Sequence, residues 1–418
     1  MNVRYPQEFE FQPHFRRTPV ERSEYDKKIT RADLSPDQAQ ALADVYDLLK
    51  NQPATVETLG GYAGTGKSTL IPLVSELLGD TASTAFCSFT GKAANVLERK
   101  LAAAGIHHPG YVGTIHALMY RPITNEHGSI HGWQRKSALY SDTNARPITR
   151  IIIDEASMVG QRLADDLLTY HLPIFAVGDH GQLPPVQDDS IFDSPRIQLT
   201  KIHRQAEDNP ILKLSQLVRE NGDLPRLSEL PDAIRVVPNS DVMEVVGEAY
   251  ERLGMDMAVL VRRNVIRKNF NILPREELEP QVGDIVICLR NCPPVYNGMR
   301  GVLRQVEPYL IHWYKAVVAF PDDGISVEGL INRYQFGREA TIESTRDLSK
   351  PNIRYPQALP LGMLFDFGLA MTVHKSQGSA FQEVILCPER WNSDKPDDYC
   401  KWLYTAVTRA VKKLTIVR

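Results

Sequence analysis

The sequence predicts a mixed α/β protein with parallel sheets and more than one domain. Its 418 residues exceed the length at which a single hydrophobic core keeps growing. Apolar runs such as "ATVETLG", "RIIID" and "FAVGD" end in glycine or aspartate, which is typical of buried parallel strands that meet ligands at one sheet edge. A helical spacing follows the first run, with Leu70, Leu73, Val74 and Leu77 on one face.

The composition narrows the class of protein. With 43% hydrophobic and 24% charged residues, the chain resembles an ordinary soluble globular protein. No apolar run approaches the roughly 18 residues of a membrane span, and residues 1–33 form a polar arm without the apolar segment of a signal peptide. Five scattered cysteines lack zinc-finger spacing and suit a reducing compartment, so we expect a cytoplasmic protein. A net charge of −3 gives no overall basic footprint, so any nucleic-acid binding depends on local groups.

Residues 61–68 are the nucleotide-binding candidate. They read "GYAGTGKS" and fit G-x-x-x-x-G-K-[ST] between an apolar strand and a helix. Backbone N–H groups of such a loop converge on phosphate oxygens, while Lys67 would reach the β- and γ-phosphates and Ser68 would ligate Mg²⁺. The strand–loop–helix context weakens the alternative of a plain glycine-rich turn. The candidate nucleotide contacts are Gly61, Ala63, Gly64, Thr65, Gly66, Lys67, Ser68 and Thr69.

An acidic pair follows the second apolar run. In "ITRIIIDEASMV" three isoleucines precede Asp154 and Glu155, which places both carboxylates at the C-terminal edge of a strand. Asp154 would hold the Mg²⁺ shell, and Glu155 would position and deprotonate the attacking water. Alone, such a pair is more often a solvated strand end, but after a P-loop it indicates an ATPase.

Three further side chains are candidates for contact with the γ-phosphate. Gln182, in "FAVGDHGQLPPV", offers an amide at the same sheet edge. Arg204, in "LTKIHRQ", and Arg409, predicted to lie on a helix in "LYTAVTRAVKKLTIV", stand far from the P-loop along the chain. A lone arginine on a helix is usually solvated. Two of them suggest arginine fingers that act when two lobes close.

The motifs, in their order, resemble those of the superfamily 1 helicases, specifically the RecD/Dda-like branch. The chain carries "LSPDQ", "GYAGTGKST", "CSFTGKAA", "GTIHALMY", "IIIDEAS", "VGDHGQLPPV", "LTKIHRQ", "TVHKSQG" and "LYTAVTRA" between residues 34 and 411. The resemblance implies two RecA-like P-loop NTPase lobes, ATP between them and single-stranded DNA across their tops. It also implies 5′-to-3′ movement and ATP-driven unwinding of duplex DNA.

The resemblance also implies roles for single residues. Gln38 would contact adenine, although "SPDQ" equally fits a helix capping box with Ser35 at the N-cap. Gln377 and Gly378 would turn toward the nucleotide. The residues implied to line the DNA path are Thr90, Lys92, Thr114, His116, Thr372 and His374. Phe89 replaces the proline usual before Thr90, where it could stack on a base, although packing is the better interpretation.

The expected domains are a polar arm (1–33), lobe 1 (34–200), lobe 2 (201–280 and 359–418) and an SH3-like β-barrel insert (281–358). Within lobe 1, residues 121–147 predict a pin-like β-hairpin, in which Trp133 either separates the duplex and contacts DNA or packs on the lobe. Tyr296, Trp313 and Tyr314 of the insert suit a small-barrel core better than base stacking. The basic run "VRRNVIRKNF" fits a solvated junction as well as DNA contact.

The expected cofactors are ATP and Mg²⁺. The expected partners are single-stranded DNA and forked duplex DNA, with single-stranded DNA-binding or replication proteins as further candidates. No membrane is expected to be involved, and the protein is expected to be a monomer. The alternative function is a nucleotide-gated clamp or translocase on single strands that does not unwind duplex. A GTPase is disfavoured because the chain lacks an N-K-x-D segment, and a small-molecule kinase would not explain the two late arginines and "TVHKSQG".

Overall fold

The computed structural model describes residues 13–17, 30–51, 56–124, 130–185, 195–200, 209–226, 230, 234–275, 277–343, 348 and 361–418. The strands are, in chain order, β1 (His14–Arg17), β2 (Val56–Gly61), β3 (Thr84–Ser88), β4 (Tyr111–Thr114), β5 (Tyr120–Thr124), β6 (Ile130–Arg135), β7 (Arg150–Asp154), β8 (Ile174–Gly178), β9 (Ile197–Leu199), β10 (Ile234–Val237), β11 (Met257–Val261), β12 (Ile285–Cys288), β13 (Arg300–Tyr309), β14 (Trp313–Phe320), β15 (Ile325–Asn332), β16 (Phe365–Phe367), β17 (Ala370–Thr372), β18 (Phe381–Leu386) and β19 (Ala410–Val417). The helices are α1 (Pro36–Asn51), α2 (Leu70–Leu78), α3 (Gly91–Ala103), α4 (Ile115–Met119), α5 (Gln161–Leu168), α6 (Pro210–Asn221), α7 (Val242–Leu253), α8 (Asn264–Ile272), α9 (Val373–Ser376) and α10 (Pro396–Val407).

The first lobe is a six-stranded parallel sheet with strand order β4-β3-β7-β8-β2-β9. Its central strands are buried on both faces, which explains their continuous apolar runs. Phe86, Ile152 and Phe175 pack in one core cluster with residues of α1, α2 and α3. Ile151 and Ile153 point to the opposite cluster, which includes residues of α4 and α5. The strand ends therefore lie at one edge, where the P-loop follows β2.

The second lobe is a five-stranded parallel sheet with strand order β10-β19-β18-β11-β17. Leu260, Val384 and Leu414 of its strands pack with Trp402 and Leu403 of α10 in one cluster. The same cluster includes residues of α6, so α6 and α10 cover one face of the sheet. Both helices also contact the first lobe.

A six-stranded antiparallel sheet, with strand order β1-β15-β14-β13-β12-β16, interrupts the second lobe. Trp313 and Tyr314 are 0% and 2% exposed, which confirms the prediction that these aromatic residues are core. Two strands come from outside the predicted range 281–358: β16 pairs with β12, and β1 of the N-terminal arm pairs with β15. The comparison of this sheet with an SH3-like barrel stays a prediction.

A two-stranded antiparallel ribbon of β5 and β6 follows α4. In its register Pro122 lies opposite Trp133. Apart from Tyr120, the ribbon lies within the predicted range 121–147.

The prediction that Arg409 lies on a helix is wrong. Helix α10 ends at Val407, and Arg409 lies in the turn before β19. The physical reason is that the Phe381 N–H donates to the Arg409 carbonyl at 2.9 Å, which draws the chain into the sheet beside β18. Among the described residues, no helix has the length and apolar character needed to cross a membrane.

Candidate nucleotide site and nucleic-acid channel

The P-loop turns tightly after β2. Gly64 and Gly66 have φ angles of 83° and 72°, in the left-handed region that favours glycine. The Lys67 ammonium donates to the Tyr62 carbonyl at 2.9 Å and lies 3.6 Å from Asp179 Oδ2. Its side chain is only 14% exposed. Lys67 is therefore held inside the loop.

The remaining loop residues are engaged with one another. Thr65 Oγ1 donates to the Tyr62 carbonyl at 2.8 Å, and Thr69 Oγ1 donates to the Gly66 carbonyl. A Cβ on Gly61 would lie 2.6 Å from Thr65 Oγ1, so a larger residue does not fit there without movement. These contacts fix the shape of the loop.

Gln38 is buried against the same loop. Its Nε2 donates to the Thr65 carbonyl at 3.0 Å, and its Oε1 accepts from the Ser35 N–H at 3.1 Å. The second bond is one half of the predicted capping box, and α1 begins at Pro36 as that box requires. The Ser35 hydroxyl instead donates to Asp37 Oδ1 at 2.5 Å. Gln38 thus braces the P-loop, and its contact with adenine stays a prediction.

The two predicted carboxylates lie at the end of β7, beside the P-loop. Asp154 Oδ1 accepts from Ser68 Oγ at 3.3 Å and from the Glu155 N–H at 3.0 Å. Glu155 has a φ of 55°, which is uncommon for a residue with a side chain and turns it away from the line of the strand. Burial raises the pKa of Glu155, and the neighbouring Asp154 raises it further, while Arg409 and Lys67 oppose the shift.

A third acid, Asp179, lies between the P-loop lysine and Gln182. Asp179 was not selected as a site residue from the sequence. It follows β8, the neighbour of β7, and is 1% exposed. Its Oδ2 lies 3.3 Å from the donating Gln182 Nε2 and near Lys67, and its Oδ1 accepts from the Gly181 N–H. Gln182 Oε1 is buried and has no hydrogen-bond partner, so this predicted residue keeps one free acceptor. The signal was present, because Asp179 ends an apolar strand just as Asp154 does.

Side chains of the second lobe reach this loop. The Tyr404 hydroxyl of α10 accepts from the Ala63 N–H at 2.8 Å and donates to Asp179 Oδ2 at 2.9 Å. Thr405 Oγ1 accepts from the Leu183 N–H at 2.9 Å, and Gln377 Nε2 donates to the Leu183 carbonyl at 3.1 Å. Tyr404 and Thr405 stand in the same "LYTAVTRA" motif as Arg409, yet only the arginine had been selected.

Arg409 is 6% exposed and bonded within its own lobe. Its guanidinium donates to the carbonyls of Thr405 and Ser379 at 3.0 and 3.2 Å and to Thr408 Oγ1 at 3.2 Å. Its charge nevertheless lowers the pKa of Glu155 across the seam between the lobes. Gly378, with a φ of 71°, packs against α3. Arg204, the other predicted finger, lies outside the described residues.

A cavity of about 650 Å³ lies next to the nucleotide site. His116 and Trp133 line it from the first lobe, and His374 and Gln377 line it from the second. Trp133 is 50% exposed and meets His116 edge to face, with ring centroids 4.5 Å apart. The other lining residues are Phe89, Tyr120, Met158, Gly160, Arg162, Leu163, Asp166, Pro184 and Pro185. Burial lowers the pKa of both histidines, and Arg262 lowers that of His374 further, which favours neutral rings.

Three predicted threonines stand at helix N-termini. Thr90 Oγ1 accepts from the Ala93 N–H at 3.2 Å, and Thr114 Oγ1 accepts from the Ala117 N–H at 3.1 Å. Each cap occupies an acceptor site of its hydroxyl and leaves the proton to donate. Thr372 precedes α9 and makes no side-chain cap.

Lys92, on α3, is not on an open surface. Its ammonium lies 5.8 Å from the Phe381 ring centroid. Burial and the nearby Arg300 lower the pKa of Lys92 to about 8, although Asp322 and Asp323 partly raise it. Beside it, α3 meets the antiparallel sheet closely, because Arg99 pairs with Asp323 at 3.6 Å and a Cβ on Gly91 would overlap the Tyr296 ring.

The basic run at the start of α8 is paired throughout. Arg262 binds Asp394 with two hydrogen bonds, and Arg263 binds Glu389. Arg267 pairs with Asp366 at 2.7 Å in the interior. Lys268 lies 3.9 Å from Glu339. These contacts favour the structural interpretation of the run.

Two family models match the chain. The AAA domain model matches residues 33–237, and the UvrD-like helicase C-terminal domain model matches residues 367–417. The ATP-dependent RecD2 DNA helicase of Deinococcus radiodurans is 31% identical over 413 residues, covering 92% of this chain and 49% of the relative. Both models and this relative make the chain similar to RecD-type helicases of superfamily 1. It spans about half the length of that curated relative.

Solved structures of Pif1 helicases share the fold of this chain. A structure of two Pif1 helicases at forked double-stranded DNA superposes with a TM-score of 0.54 at 19% identity, covering 92% of this chain and 91% of the other. The Pif1 helicase from Bacteroides, in complex with ADP-AlF3 and single-stranded DNA, gives a TM-score of 0.52 at 20% identity, covering 90% and 91%. At this identity the likeness shows the mixed α/β fold with its parallel sheets.

Proposed function

We propose that this protein is an ATP-dependent DNA helicase. In this proposal it hydrolyses ATP between its two parallel-sheet lobes, moves 5′ to 3′ along single-stranded DNA and separates duplex DNA ahead of it. The proposal draws on the similarity to RecD2 and on the site geometry.

The loop of residues 179–185 carries the proposal. Its first residue, Asp179, lies 3.6 Å from the P-loop Lys67, and its last two, Pro184 and Pro185, line the cavity. Its middle is held by Thr405 and Gln377 of the second lobe. In this proposal, a change in the phosphates bound at Lys67 is transmitted by residues 179–185 to the cavity wall and to the second lobe.

The oxygen ligands at the site suit a magnesium ion. The Ser68 hydroxyl and the Asp154 carboxylate lie side by side, and hard oxygen donors of this kind are what Mg²⁺ takes together with nucleotide phosphates. Bound there, the ion would neutralise charge on the β- and γ-phosphates. The raised pKa of Glu155 makes its carboxylate a better proton acceptor. We assign to it the proton of the water that attacks the γ-phosphorus, which yields ADP and phosphate.

We further propose that the strand of DNA runs through the 650 Å³ cavity. Trp133 and Phe89 would offer aromatic faces to bases, and the hydroxyl protons of Thr90 and Thr114 would bind phosphate oxygens. In this assignment the ribbon of β5 and β6 is the pin that parts the duplex. The antiparallel sheet is the SH3-like insert of lobe 2, and lobe 1 spans residues 34–200.

The test is ATP hydrolysis with and without single-stranded DNA, followed by unwinding of forked duplexes that carry a 5′ or a 3′ tail. We expect turnover that DNA stimulates and strand separation only with the 5′ tail. Hydrolysis that ignores DNA would overturn the proposal. Stimulated turnover without strand separation would restrict the protein to a clamp or translocase.

A further inference from the structure

Arg219 of α6, in the second lobe, lies directly on the P-loop. Its guanidinium carbon is 3.4 Å from the centroid of the Tyr62 ring and 5.8 Å from that of the Tyr404 ring. Tyr62 is the second residue of the P-loop, and its own carbonyl holds the Lys67 ammonium at 2.9 Å. One P-loop residue thus contacts a cation of each lobe, one with its ring and one with its backbone.

The Arg219 guanidinium has no carboxylate partner among the residues that the structure describes. Its Nε is buried and has no hydrogen-bond partner, and no salt bridge to it is found within the part of the chain that the structure describes. Other arginines of this lobe behave differently: Arg262, Arg263 and Arg267 each pair with a carboxylate. A half-buried guanidinium stacked on aromatic rings is available to an incoming acid, because charges withdrawn from water otherwise pair.

The surroundings of Arg219 carry an excess of positive charge. The His180 ring lies 4.5 Å from the Tyr62 ring, and the pKa of that histidine is lowered by burial and by Lys67, Arg219 and Lys401, with Asp179 opposing. Three cations therefore act on this histidine against Asp179, and Glu155 balances part of the Lys67 charge. A triphosphate would complement this charge.

We propose that Arg219 binds the terminal phosphate of the bound nucleotide, leaving the Tyr62 ring to do so. This inference rests on the proposed ATPase function. Arg219 belongs to α6, which packs on α10, so a phosphate contact would report the presence of the γ-phosphate to the helix that carries Tyr404 and Thr405. The stack on Tyr62 is then the resting position of the guanidinium.

The test compares binding of a non-hydrolysable ATP analogue and of ADP to the full chain by fluorescence titration. For Arg219→Gln we expect roughly 10- to 100-fold weaker binding of the analogue, the size of a lost charge-assisted hydrogen bond, and little change for ADP. Arg219→Lys should lie between, because it keeps the charge without the planar fork. Arg390→Gln is the matched control, since Arg390 also lies over a tyrosine ring of this lobe, 5.2 Å from the Tyr399 centroid.

A second variant distinguishes phosphate binding by Arg219 from a purely structural stack of Arg219 on Tyr62. Tyr62→Leu removes the ring under Arg219, so the analogue should bind at least as tightly as it does to the wild type. Equal losses for the analogue and ADP in Arg219→Gln, or a loss in Tyr62→Leu that matches Arg219→Gln, would overturn the inference and make the stack a structural brace. A wild-type chain that binds no nucleotide would instead refute the proposed function itself, and this inference with it.

Discussion

Tyr404 donates its hydroxyl proton to Asp179 at 2.9 Å, and the two residues come from different lobes. The same hydroxyl accepts from the Ala63 N–H of the P-loop. A single phenol therefore joins the C-terminal helix to the nucleotide site at two points. Its burial, together with Asp179, raises the pKa of Tyr404, so the hydroxyl remains a donor at all physiological pH values.

Tyr404→Phe should weaken both the fold and the coupling between the lobes. It leaves a buried carboxylate oxygen and a P-loop N–H without this partner, which costs about 1–3 kcal/mol of unfolding free energy. We expect a lower denaturation midpoint and a smaller stimulation of ATP turnover by DNA. The control is Tyr399→Phe on the same helix, since no hydrogen bond of the Tyr399 hydroxyl is found among the described residues. Equal behaviour of the two variants would argue against the coupling role.

Glu155→Gln should bind ATP and hydrolyse it slowly. Removal of a positioned general base typically costs about 10²- to 10⁴-fold in rate. Nucleotide binding should persist, because Lys67 and the loop glycines remain. Single-turnover hydrolysis and a nucleotide titration check both halves of the prediction, and near-normal turnover would remove Glu155 from the mechanism.

The same variant should be more stable than the wild type at neutral pH. The folded-state pKa of Glu155 is raised, so its ionised form is disfavoured in the folded protein. That cost begins as pH rises above the ordinary value of 4.5 and is complete above the folded pKa. We expect Glu155→Gln to melt at a higher temperature at pH 8, with the difference closing toward pH 4. A difference that does not vary with pH would contradict the assigned shift.

Lys92→Met should show an opposite pH dependence. The pKa of Lys92 is lowered to about 8 from 10.5, so the folded protein disfavours the ammonium form. The resulting cost is full below pH 8 and disappears as pH approaches 10.5. We expect the methionine variant to melt higher at pH 7 and to match the wild type near pH 10. If Lys92 also contacts DNA, the variant loses affinity for single strands at pH 7.

Trp133→Ala should weaken binding of single-stranded DNA. Stacking of one base on an aromatic ring contributes about 1–3 kcal/mol, and Trp133 is half exposed at the cavity. ATP turnover without DNA should not change. Tyr140→Ala provides the control, since Tyr140 is 57% exposed on the same lobe and does not line the cavity. Fluorescence anisotropy with a labelled oligonucleotide measures the difference.

The local parts of the nucleotide site could be predicted from the sequence. The P-loop spacing and the acid after an apolar strand are short-range patterns, and the structure brings Ser68 and Asp154 to 3.3 Å. Lys67 was predicted to reach the β- and γ-phosphates, and its ammonium lies at the P-loop, bonded to the Tyr62 carbonyl. Both predictions use the rule that ligands bind at the C-terminal ends of parallel strands. That rule needs no knowledge of contacts between distant parts of the chain.

The contacts between the lobes could not be predicted. Nothing in the local pattern of Tyr404 reports that its hydroxyl lies beside Asp179, because that pairing depends on how two separate sheets dock. The end of α10 was also missed, since the helical spacing of apolar residues continues into β19 and only the pairing with β18 ends the helix. Arg219 gave no signal, because a lone arginine on an amphipathic helix is normally solvated.

The pairing of β1 with β15 has a consequence for biosynthesis. His14 lies opposite Glu328, so β1 is synthesised more than 300 residues before the strand with which it pairs. During that interval its unpaired edge is open to other nascent chains or to chaperones. Completion of this sheet is therefore a late event of synthesis, and chains interrupted before residue 325 leave β1 without its partner strand.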